Sequence, residues 1–447
     1  MMRQRAVGNL LVVAMLWTAS FSASEVRGED WPQWMGPNRD GTWNETGIIE
    51  KFPAAGPKVL WRAPIAGGYA GPAVADGRVF VTDYVKASGD ASNDPGGRRA
   101  LQGRERVLCF DGSSGKPLWK YEYDCPYEIS YPAGPRATPA VAAGKVYTLG
   151  AEGHLHCLDA QTGAVAWNKD LKQEYDVKTP IWGFCGHPQV DGDKLICLVG
   201  GKGSVAVAFD KDSGKELWRA LSAPEPGYCP PKIITAGGKR QLLIWHPQAL
   251  NSLNPETGEV YWSEPLAPNY NMSVAAPQQA GDYLYTSGIG SVAVLFKLDR
   301  DKPAVTEVWS GASNTAVYCS NSTPLIHDGV IYGADCQVGS LRAVQLSDGK
   351  RLWETFAPTS GGERRDSHGT AFLVKNGERY FLFSETGDLI IARLSAAKYE
   401  ELSRAHVLEP TGESFGRSVV WSHPAFANRC CFARNDKEIV CVSLAQE

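Results

Sequence analysis

Three residue types that bind metals lie close together in the segment GHLHCLDAQTGAVAW, residues 153–167. His154, His156 and Cys157 could all coordinate zinc or copper. In an extended strand, however, successive side chains point to opposite faces, so the two histidines share one face and Cys157 lies on the other. Three ligands cannot converge on one ion from that arrangement. The segment is better explained as one copy of a repeat.

The repeat consists of a short apolar strand, a polar residue that is usually Asp, a turn containing Gly, and a tryptophan. When the copies are aligned, the positions of His156 and Cys157 are occupied by ordinary strand residues such as Leu108 and Ala208. We therefore interpret the histidines and the cysteine as strand residues. The tryptophans assigned to the repeat are Trp61, Trp119, Trp167, Trp218, Trp262, Trp309 and Trp353.

A second shared pattern precedes each copy, as in TPAVAAGKVYTL (138–149) and TPLIHDGVIYG (323–333). It predicts two strands joined by a tight Gly-containing turn. Each unit then has four strands, and successive tryptophans are 44 to 58 residues apart. Four-stranded units at this period indicate a β-propeller. The sequence thus predicts an all-β fold.

Eight units can be counted, although the seventh ends near Val407 without a tryptophan. The segment PKVLWRAPI (57–65) looks like a fourth strand, and residues 423–444 look like the first three strands of a blade. We expect the two termini to combine into the eighth blade, which closes the ring and removes a free sheet edge. The predicted propeller occupies residues 57–447.

Two segments of the chain do not follow the repeat. Residues 29–56 form an N-terminal extension that we expect to wrap the outside or cover an opening, with Trp31, Trp34 and Trp43 docking it. Residues 85–106 are polar and rich in glycine, which predicts an exposed, mobile hairpin loop in the first blade.

The N-terminus resembles a secretory signal. Arg3 and Arg5 precede the apolar run Leu10 to Trp17, and small residues follow. We therefore assign residues 1–28 to a signal peptide and expect an exported protein, periplasmic or extracellular. The apolar run is shorter than the roughly 20 residues that a membrane-spanning helix needs. We expect no stable insertion into a membrane.

Composition narrows the classes of partner. The 447-residue chain has a formal net charge of −4, so no basic excess attracts nucleic acid. GGKGSV (200–205) resembles a phosphate-binding loop only loosely, and we interpret it as a turn. We expect a monomer that binds an unknown protein or small molecule.

The cysteines fit an exported chain, and their number, 11, is odd. Cys185 and Cys229 occupy matching positions in adjacent blades and form the best candidate for a disulfide between blades. We interpret the adjacent Cys430 and Cys431 as two core thiols, because a bond between neighbouring residues would strain the strand.

The residues just before the first strand of each blade should surround one mouth of the axial channel. Polar and aromatic residues are concentrated there, a mixture that suits an anionic or planar ligand. An alternative is that these side chains only form hydrogen bonds with the backbone of the converging loops, with bound water molecules filling the axis. The candidate ligand-binding residues are Tyr69, Arg136, His187, Tyr228, Asn321, His368, Trp421 and His423.

The repeat described above follows the pattern Asp-x-x-Thr-Gly-x-x-x-Trp in its turn. Because of these units, the chain resembles the pyrroloquinoline-quinone (PQQ)-like eight-bladed propellers over residues 57–444. That family includes quinone-dependent alcohol and sugar dehydrogenases, the propeller lipoprotein of the outer-membrane β-barrel assembly machinery, and exported proteins of unknown role. The opening DWPQWMGPNRDG (30–41) is similar to the last group, as found in planctomycete-type bacteria.

The resemblance implies two alternative functions. The dehydrogenases hold PQQ with a stacking Trp, an Arg and a calcium ion bound by Glu, Asn and Asp, and Trp421, Arg136 and Asn321 could take such parts. No calcium carboxylates can be identified in this sequence, so we expect a non-catalytic binding or assembly scaffold without a cofactor, with a PQQ-dependent dehydrogenase using calcium as the alternative. A third possibility, a hydrolase, would need a Ser or Cys within hydrogen-bond reach of His187, His368 or His423.

Overall fold

The computed structural model describes residues 28–362 and 365–446. The proposed signal peptide, apart from its last residue, lies outside the described residues. Within the described part, eight antiparallel sheets each contain a path of four strands, and a separate two-stranded hairpin precedes the last blade. This confirms the predicted all-β eight-bladed propeller. None of the described helices is long and apolar enough to cross a membrane.

The blades are numbered here in chain order, and their strands from the axis outward. Blade 1 contains Ala73–Ala75, Arg78–Gly89, Arg99–Asp111 and Pro117–Asp124, with Tyr127–Ile129 added to its third strand. Blade 2 contains Ala140–Ala142, Lys145–Leu149, His154–Asp159 and Val165–Asp170. Blade 3 contains Gln189–Asp191, Lys194–Leu198, Ala206–Asp210 and Glu216–Ala220. Blade 4 contains Lys232–Ala236, Lys239–His246, Ala249–Leu253 and Val260–Pro265.

The second half of the ring repeats this order. Blade 5 contains Gln278–Ala280, Tyr283–Gly288, Val292–Leu298 and Val305–Ser310. Blade 6 contains Leu325–His327, Val330–Asp335, Ser340–Gln345 and Arg351–Thr355. Blade 7 contains Ala371–Asn376, Arg379–Ser384, Asp388–Leu394 and Tyr399–His406. Blade 8 contains Ala425–Ala427, Cys430–Arg434 and Glu438–Ser443, and its fourth strand is Val59–Pro64 from the N-terminal side of the chain.

The remaining elements lie between blades. A short helix, Leu171–Tyr175, follows blade 2, and a 3₁₀ turn, Asn269–Asn271, follows blade 4. The hairpin Gly412–Ser414 and Arg417–Val419 connects blade 7 to blade 8.

The repeat motif joins neighbouring blades through its tryptophan and its glycine. The Trp218 indole N–H donates to the carbonyl of Pro255 in the turn of the next blade, at 3.1 Å. A Cβ placed on Gly258 of that turn would lie 2.6 Å from the Trp218 ring. The same hydrogen bond links Trp61 to Gly112, Trp119 to Ala160, Trp167 to Lys211, Trp309 to Leu346 and Trp353 to Ser395.

The turn itself is fixed by its aspartate. Asp159 Oδ1 accepts hydrogen bonds from the backbone N–H groups of Gln161 and Thr162, and from the Thr162 hydroxyl. Gly163 then adopts a φ of 73°, which glycine tolerates without steric cost. In the described residues, five turn glycines lie against the indole of the preceding blade and so join neighbouring blades: Gly115, Gly163, Gly214, Gly258 and Gly349.

Blade 4 departs from this rule. The following turn in blade 5, residues 299–304, contains no glycine. The Trp262 indole N–H instead donates to the Gln241 side chain within its own blade, at 2.9 Å.

The fourth strand forms the outer edge of every blade. In each blade its pairing with the third strand contains a register shift, and where the fourth strand has a tryptophan, the shift lies one residue before it. Such bulges increase local twist and interrupt the row of backbone groups that could pair with another chain. The bulged residue is often apolar and exposed, as at Leu60, Leu118 and Leu217.

The N-terminal extension crosses the axis and contacts the innermost strands of several blades. Trp31 exchanges two backbone hydrogen bonds with Val74 of blade 1, at 2.8 Å each. The Trp43 N–H donates to Lys375 of blade 7, and its ring packs against Phe381 and Phe426. Trp31, Trp34 and Trp43 are all buried. The segment thus covers one end of the channel.

Two expectations about local structure were wrong. The exposed hairpin predicted over residues 85–106 is present, but its loop character was wrong: most of these residues extend the second and third strands of blade 1, because residues such as Leu101 and Glu105 bury against the blade 1–2 connection. Cys185 and Cys229 do not form the predicted disulfide. All of the cysteines in the described residues are free thiols, including Cys430 and Cys431.

Candidate functional site

A cavity of about 230 Å³ opens at the mouth of the axial channel. Its walls come from the loops before the first strands, and Trp34 of the N-terminal extension also lines it. The lining residues are Trp34, Tyr69, Pro95, Tyr131, Arg136, Trp182, Cys185, His187, Tyr228, Pro230, Met272, Val274, Ser320, Asn321, Ser322, Thr323, His368, Phe415, Trp421 and His423.

All eight residues chosen from the sequence as ligand-binding candidates line this one cavity. They come together because the loops before the first strands converge at this end of the axis. That they bind a ligand remains a prediction. Gly71, Thr138, Ala276 and Thr370, from the same aligned positions, are not among the lining residues.

Arg136 is the one lysine or arginine among the described lining residues. Its guanidinium donates to the carbonyls of Gly134, Ser130 and Tyr131, at 2.5 to 2.7 Å. The guanidinium carbon lies 5.2 Å from the centre of the Tyr69 ring, in a cation–π arrangement. Arg136 forms no ion pair to a carboxylate among the described residues, so only carbonyl dipoles and an aromatic ring face its positive charge.

Two histidines stand beside Trp34. The His187 ring stacks on the Trp34 ring at 5.0 Å, and its Nδ1 accepts a hydrogen bond from the Thr138 backbone N–H at 2.7 Å. Burial lowers the pKa of His187 well below its usual value, with nearby Arg39 acting in the same direction, and burial lowers the pKa of His423 to about 3. Both rings are therefore neutral at pH 7, and His187 carries its proton on Nε2.

Trp421 is held from behind by a buried carboxylate. Its indole N–H donates to Glu385 Oε2 at 2.9 Å, and Arg417 forms an ion pair with the same carboxylate at 2.7 Å. This leaves the ring rather than the N–H group of Trp421 for contact with a ligand. Tyr131 and Phe415 lie 6.0 and 6.5 Å away, centroid to centroid.

Most of the other lining residues lie at or beside the aligned positions before the first strands, but five lie elsewhere and were not expected from the repeat: Trp34, Pro95, Tyr131, Met272 and Phe415. Pro95 belongs to the tip of the blade 1 hairpin and Phe415 to the small hairpin before blade 8, and the two hairpins touch where the Asn93 side chain donates to the Glu413 carbonyl at 2.5 Å. Only the expectation that residues 29–56 cover an opening could have indicated Trp34. The others lie on connections that the repeat does not align.

Two further cations lie behind Trp34. Arg39 is 3% exposed, and its guanidinium donates to the carbonyls of His187 and Pro188. Its guanidinium carbon is 5.4 Å from the Trp34 ring centre. Lys232, 7% exposed, donates to the Arg39 carbonyl and to the Gln278 side chain, each at 3.1 Å. Neither cation forms an ion pair within the described part of the chain.

The cavity does not fit a calcium-bound quinone. None of the described lining residues is an aspartate or glutamate, and calcium needs several oxygen ligands that usually include carboxylates. Glu385 is occupied by Arg417, Trp421 and the Thr370 backbone N–H. Among the described residues, no group of three His, Cys, Asp or Glu side chains is placed to hold a metal ion.

The segment that first suggested a metal site forms the third strand of blade 2. The rings of His154 and His156 pack against Tyr123, with centroids 5.3 and 4.5 Å away. The Cys157 thiol approaches the Lys211 carbonyl at 3.9 Å. These contacts belong to ordinary packing between blades.

Comparison with known proteins gives two kinds of relative. A segment of 168 residues is 31% identical to the quinohemoprotein alcohol dehydrogenase ADH IIB of Pseudomonas putida, covering 35% of this chain and 21% of that protein. The outer membrane protein assembly factor BamB of Shewanella oneidensis is 23% identical over 254 residues, covering 55% of this chain and 63% of BamB. The matches thus span about a fifth of the dehydrogenase and less than two thirds of BamB.

Solved structures agree on the fold alone. The quinohemoprotein alcohol dehydrogenase of Comamonas testosteroni superimposes with a TM-score of 0.58 at 14% identity, covering 94% of this chain and 81% of that one. BamB of Moraxella catarrhalis gives a TM-score of 0.53 at 15% identity, covering 82% of this chain and 99% of that one.

The family itself is established from the sequence match. Residues 103–355 and 201–447 match the family described as outer membrane protein assembly factor BamB. Together these ranges cover well over half of the 447 residues. The chain therefore belongs to this family of PQQ-like propellers.

Proposed function

We propose that this protein is an exported binding protein whose axial cavity takes a small planar anion, and that it performs no quinone chemistry. The observation that carries the proposal is the charge of the cavity. Arg136 lies in the wall, Arg39 and Lys232 lie behind Trp34, and no carboxylate lines the space within the described residues.

Buried cations without counter-ions are costly, and an anionic ligand would compensate them. Coulomb interactions are also stronger in a site from which water is partly excluded. The aromatic rings of Trp34, Trp182 and Trp421 supply flat surfaces for a planar group. Charge and shape therefore favour the same class of ligand.

Export is supported by the predicted signal peptide and by the relatives, which include an outer membrane protein assembly factor. A role in assembly, with a protein partner bound by loops, is the second form of this proposal. The family match supports it, and neither form needs quinone chemistry. The alternative, a PQQ-dependent dehydrogenase, is disfavoured by the absence of carboxylate ligands for calcium in the described cavity wall.

The test is a titration of the mature protein with 2-naphthoate and with its neutral analogue 2-naphthamide, followed by tryptophan fluorescence. We expect the anion to bind at least about tenfold more tightly, a difference of about 1.4 kcal/mol. Arg136→Gln should remove most of this preference. Arg300→Gln, an exposed arginine that pairs with Asp282, is the matched control. Equal affinities for the two probes would contradict the proposal.

A parallel titration with PQQ distinguishes the binding protein from the alternative function, a PQQ-dependent dehydrogenase. We expect calcium to leave any PQQ affinity unchanged, because the cavity supplies no carboxylates for it. Calcium-dependent PQQ binding together with dye reduction in the presence of alcohols or sugars would establish the dehydrogenase instead.

A further inference from the structure

A serine and a histidine are hydrogen-bonded to each other in the wall of the cavity. Ser320 Oγ lies 2.9 Å from His368 Nδ1 and 3.1 Å from Asn321 Oδ1, so its single proton has two acceptors, and Ser320 and His368 both line the cavity. Ser320 precedes the first strand of blade 6, and His368 precedes that of blade 7, so the pair bridges two adjacent blades. A hydroxyl within hydrogen-bond reach of a neutral imidazole is the minimal arrangement for an activated nucleophile.

The histidine is held in a costly backbone conformation. His368 has a φ of 59°, in the left-handed region that non-glycine residues rarely adopt. Its N–H donates to the Cys336 carbonyl at 2.8 Å, and its carbonyl accepts from Asn321 Nδ2 at 3.3 Å. The ring stacks on Phe415, with centroids 5.1 Å apart and planes 10° apart. Four contacts, counting Ser320, thus fix the position of this imidazole.

The surroundings keep the imidazole neutral. Burial, assisted by the nearby Arg417, lowers the pKa of His368 to about 4. At neutral pH the ring is therefore unprotonated, and because so low a pKa makes it a weak base, its role as a base rests on its contact with Ser320. No carboxylate among the described residues is hydrogen-bonded to it, so the pair lacks the third, acidic member found in the best-known triads.

We propose that Ser320 and His368 form a nucleophile–base pair that hydrolyses esters of planar carboxylic acids bound in the cavity. The choice of acyl group rests on the proposed function, since the cavity is expected to take planar anions and the product of hydrolysis is such an anion.

The steps balance without a cofactor. Ser320 Oγ attacks the ester carbonyl carbon and its proton passes to His368 Nδ1. The bond from that carbon to the alcohol oxygen breaks, and the imidazole returns the proton to the leaving alcohol. Water then attacks the acyl-serine by the same route, which releases the carboxylic acid and restores the serine.

The first experiment is intact-mass analysis of the purified mature protein after treatment with a fluorophosphonate, a reagent that labels activated serines. We expect one adduct, mapped to Ser320 by peptide sequencing. Ser320→Ala should abolish it. His368→Asn should slow labelling at least about tenfold, because the base is lost; Asn tolerates the positive φ at this position. Hydrolysis of 4-nitrophenyl benzoate should fall in parallel in both variants.

The matched controls lie on the outer rim. His406, which bonds Asp388 and Glu409 on blade 7, is replaced in His406→Gln, and Ser114 of an exposed turn is replaced in Ser114→Ala. Both should label like the natural protein. Failure of the natural protein to label at Ser320, or equal labelling in His368→Asn, would overturn the proposal.

Binding of 2-naphthoate by the same variants separates this proposal from the previous one. Retained naphthoate binding with no labelling of Ser320 would remove the hydrolase and leave the binding protein. Labelling at Ser320 without naphthoate binding would support the pair and contradict the planar-anion cavity.

Discussion

The outer rim and the axial mouth of this propeller are built from the same repeat by opposite rules. At the rim, six of the seven repeat tryptophans donate to the turn of the next blade. At the mouth, the aligned positions before the first strand vary widely among the blades, from Tyr69 and Arg136 to His368 and Trp421. Repetition therefore marks the residues that hold the ring together, and its loss marks the residues that are free to define a site.

The largest expected effect is a loss of stability, and it tests whether the rim holds the ring together while the mouth does not. Trp218→Ala removes a buried indole that fills the interface between blades 3 and 4, and we expect it to lower the free energy of unfolding by about 3–5 kcal/mol. Trp421→Ala, in the open mouth, should cost clearly less stability and instead weaken naphthoate binding. Urea unfolding of both variants measures the difference, and equal losses would show that the mouth is also structural.

Acid should stress the mouth more than the rim. His187 and His423 have pKa values far below that of an unfolded histidine because they are buried, so the unfolded chain binds more protons below pH 6.5. Stability should therefore fall as the pH drops from about 6.5 toward 4.5, by up to about 1.4 kcal/mol per pH unit for each histidine. The double variant His187→Gln, His423→Gln should reduce this slope in urea unfolding at several pH values, and the remainder should come from His156 and His368, whose pKa values burial lowers to about 3 and about 4. An unchanged slope would place the acid sensitivity elsewhere.

The smallest of the three effects isolates the contact between the turn glycine and the indole. Gly258 and Gly144 have nearly the same φ, 74° and 73°, but only the Cβ of an alanine at 258 would meet an indole ring. Gly144→Ala should lower the free energy of unfolding by about 1 kcal/mol, through backbone strain alone. Gly258→Ala should lower it by about 1–3 kcal/mol more, because Trp218 must move. Thermal unfolding of the two variants compares them directly. Equal losses would mean that the indole yields without cost.

Much of this comparison was predictable from the sequence. The Gly-containing turns and tryptophans predicted eight blades, and the residue before each first strand predicted which side chains meet at the mouth. The insertion 85–106 was misread as a loop because its polar composition hides the alternation that pairs Tyr84 with Glu105. The cysteines were equally uninformative: matching positions in adjacent blades do not bring the Cys185 and Cys229 thiols together.

The sequence by itself determined the ring of blades, because every blade except the seventh repeats the same short-range pattern of turns and tryptophan. That spacing encodes both the hairpins within a blade and the contact with its neighbour. Only the tertiary structure decided what the mouth contains. Trp34, Pro95 and Phe415 reach the cavity from the N-terminal extension and from two hairpins far apart in the chain. The 2.9 Å contact of Ser320 with His368 joins residues 48 positions apart. Such contacts depend on how loops from different blades converge at the axis, and no repeat encodes that convergence.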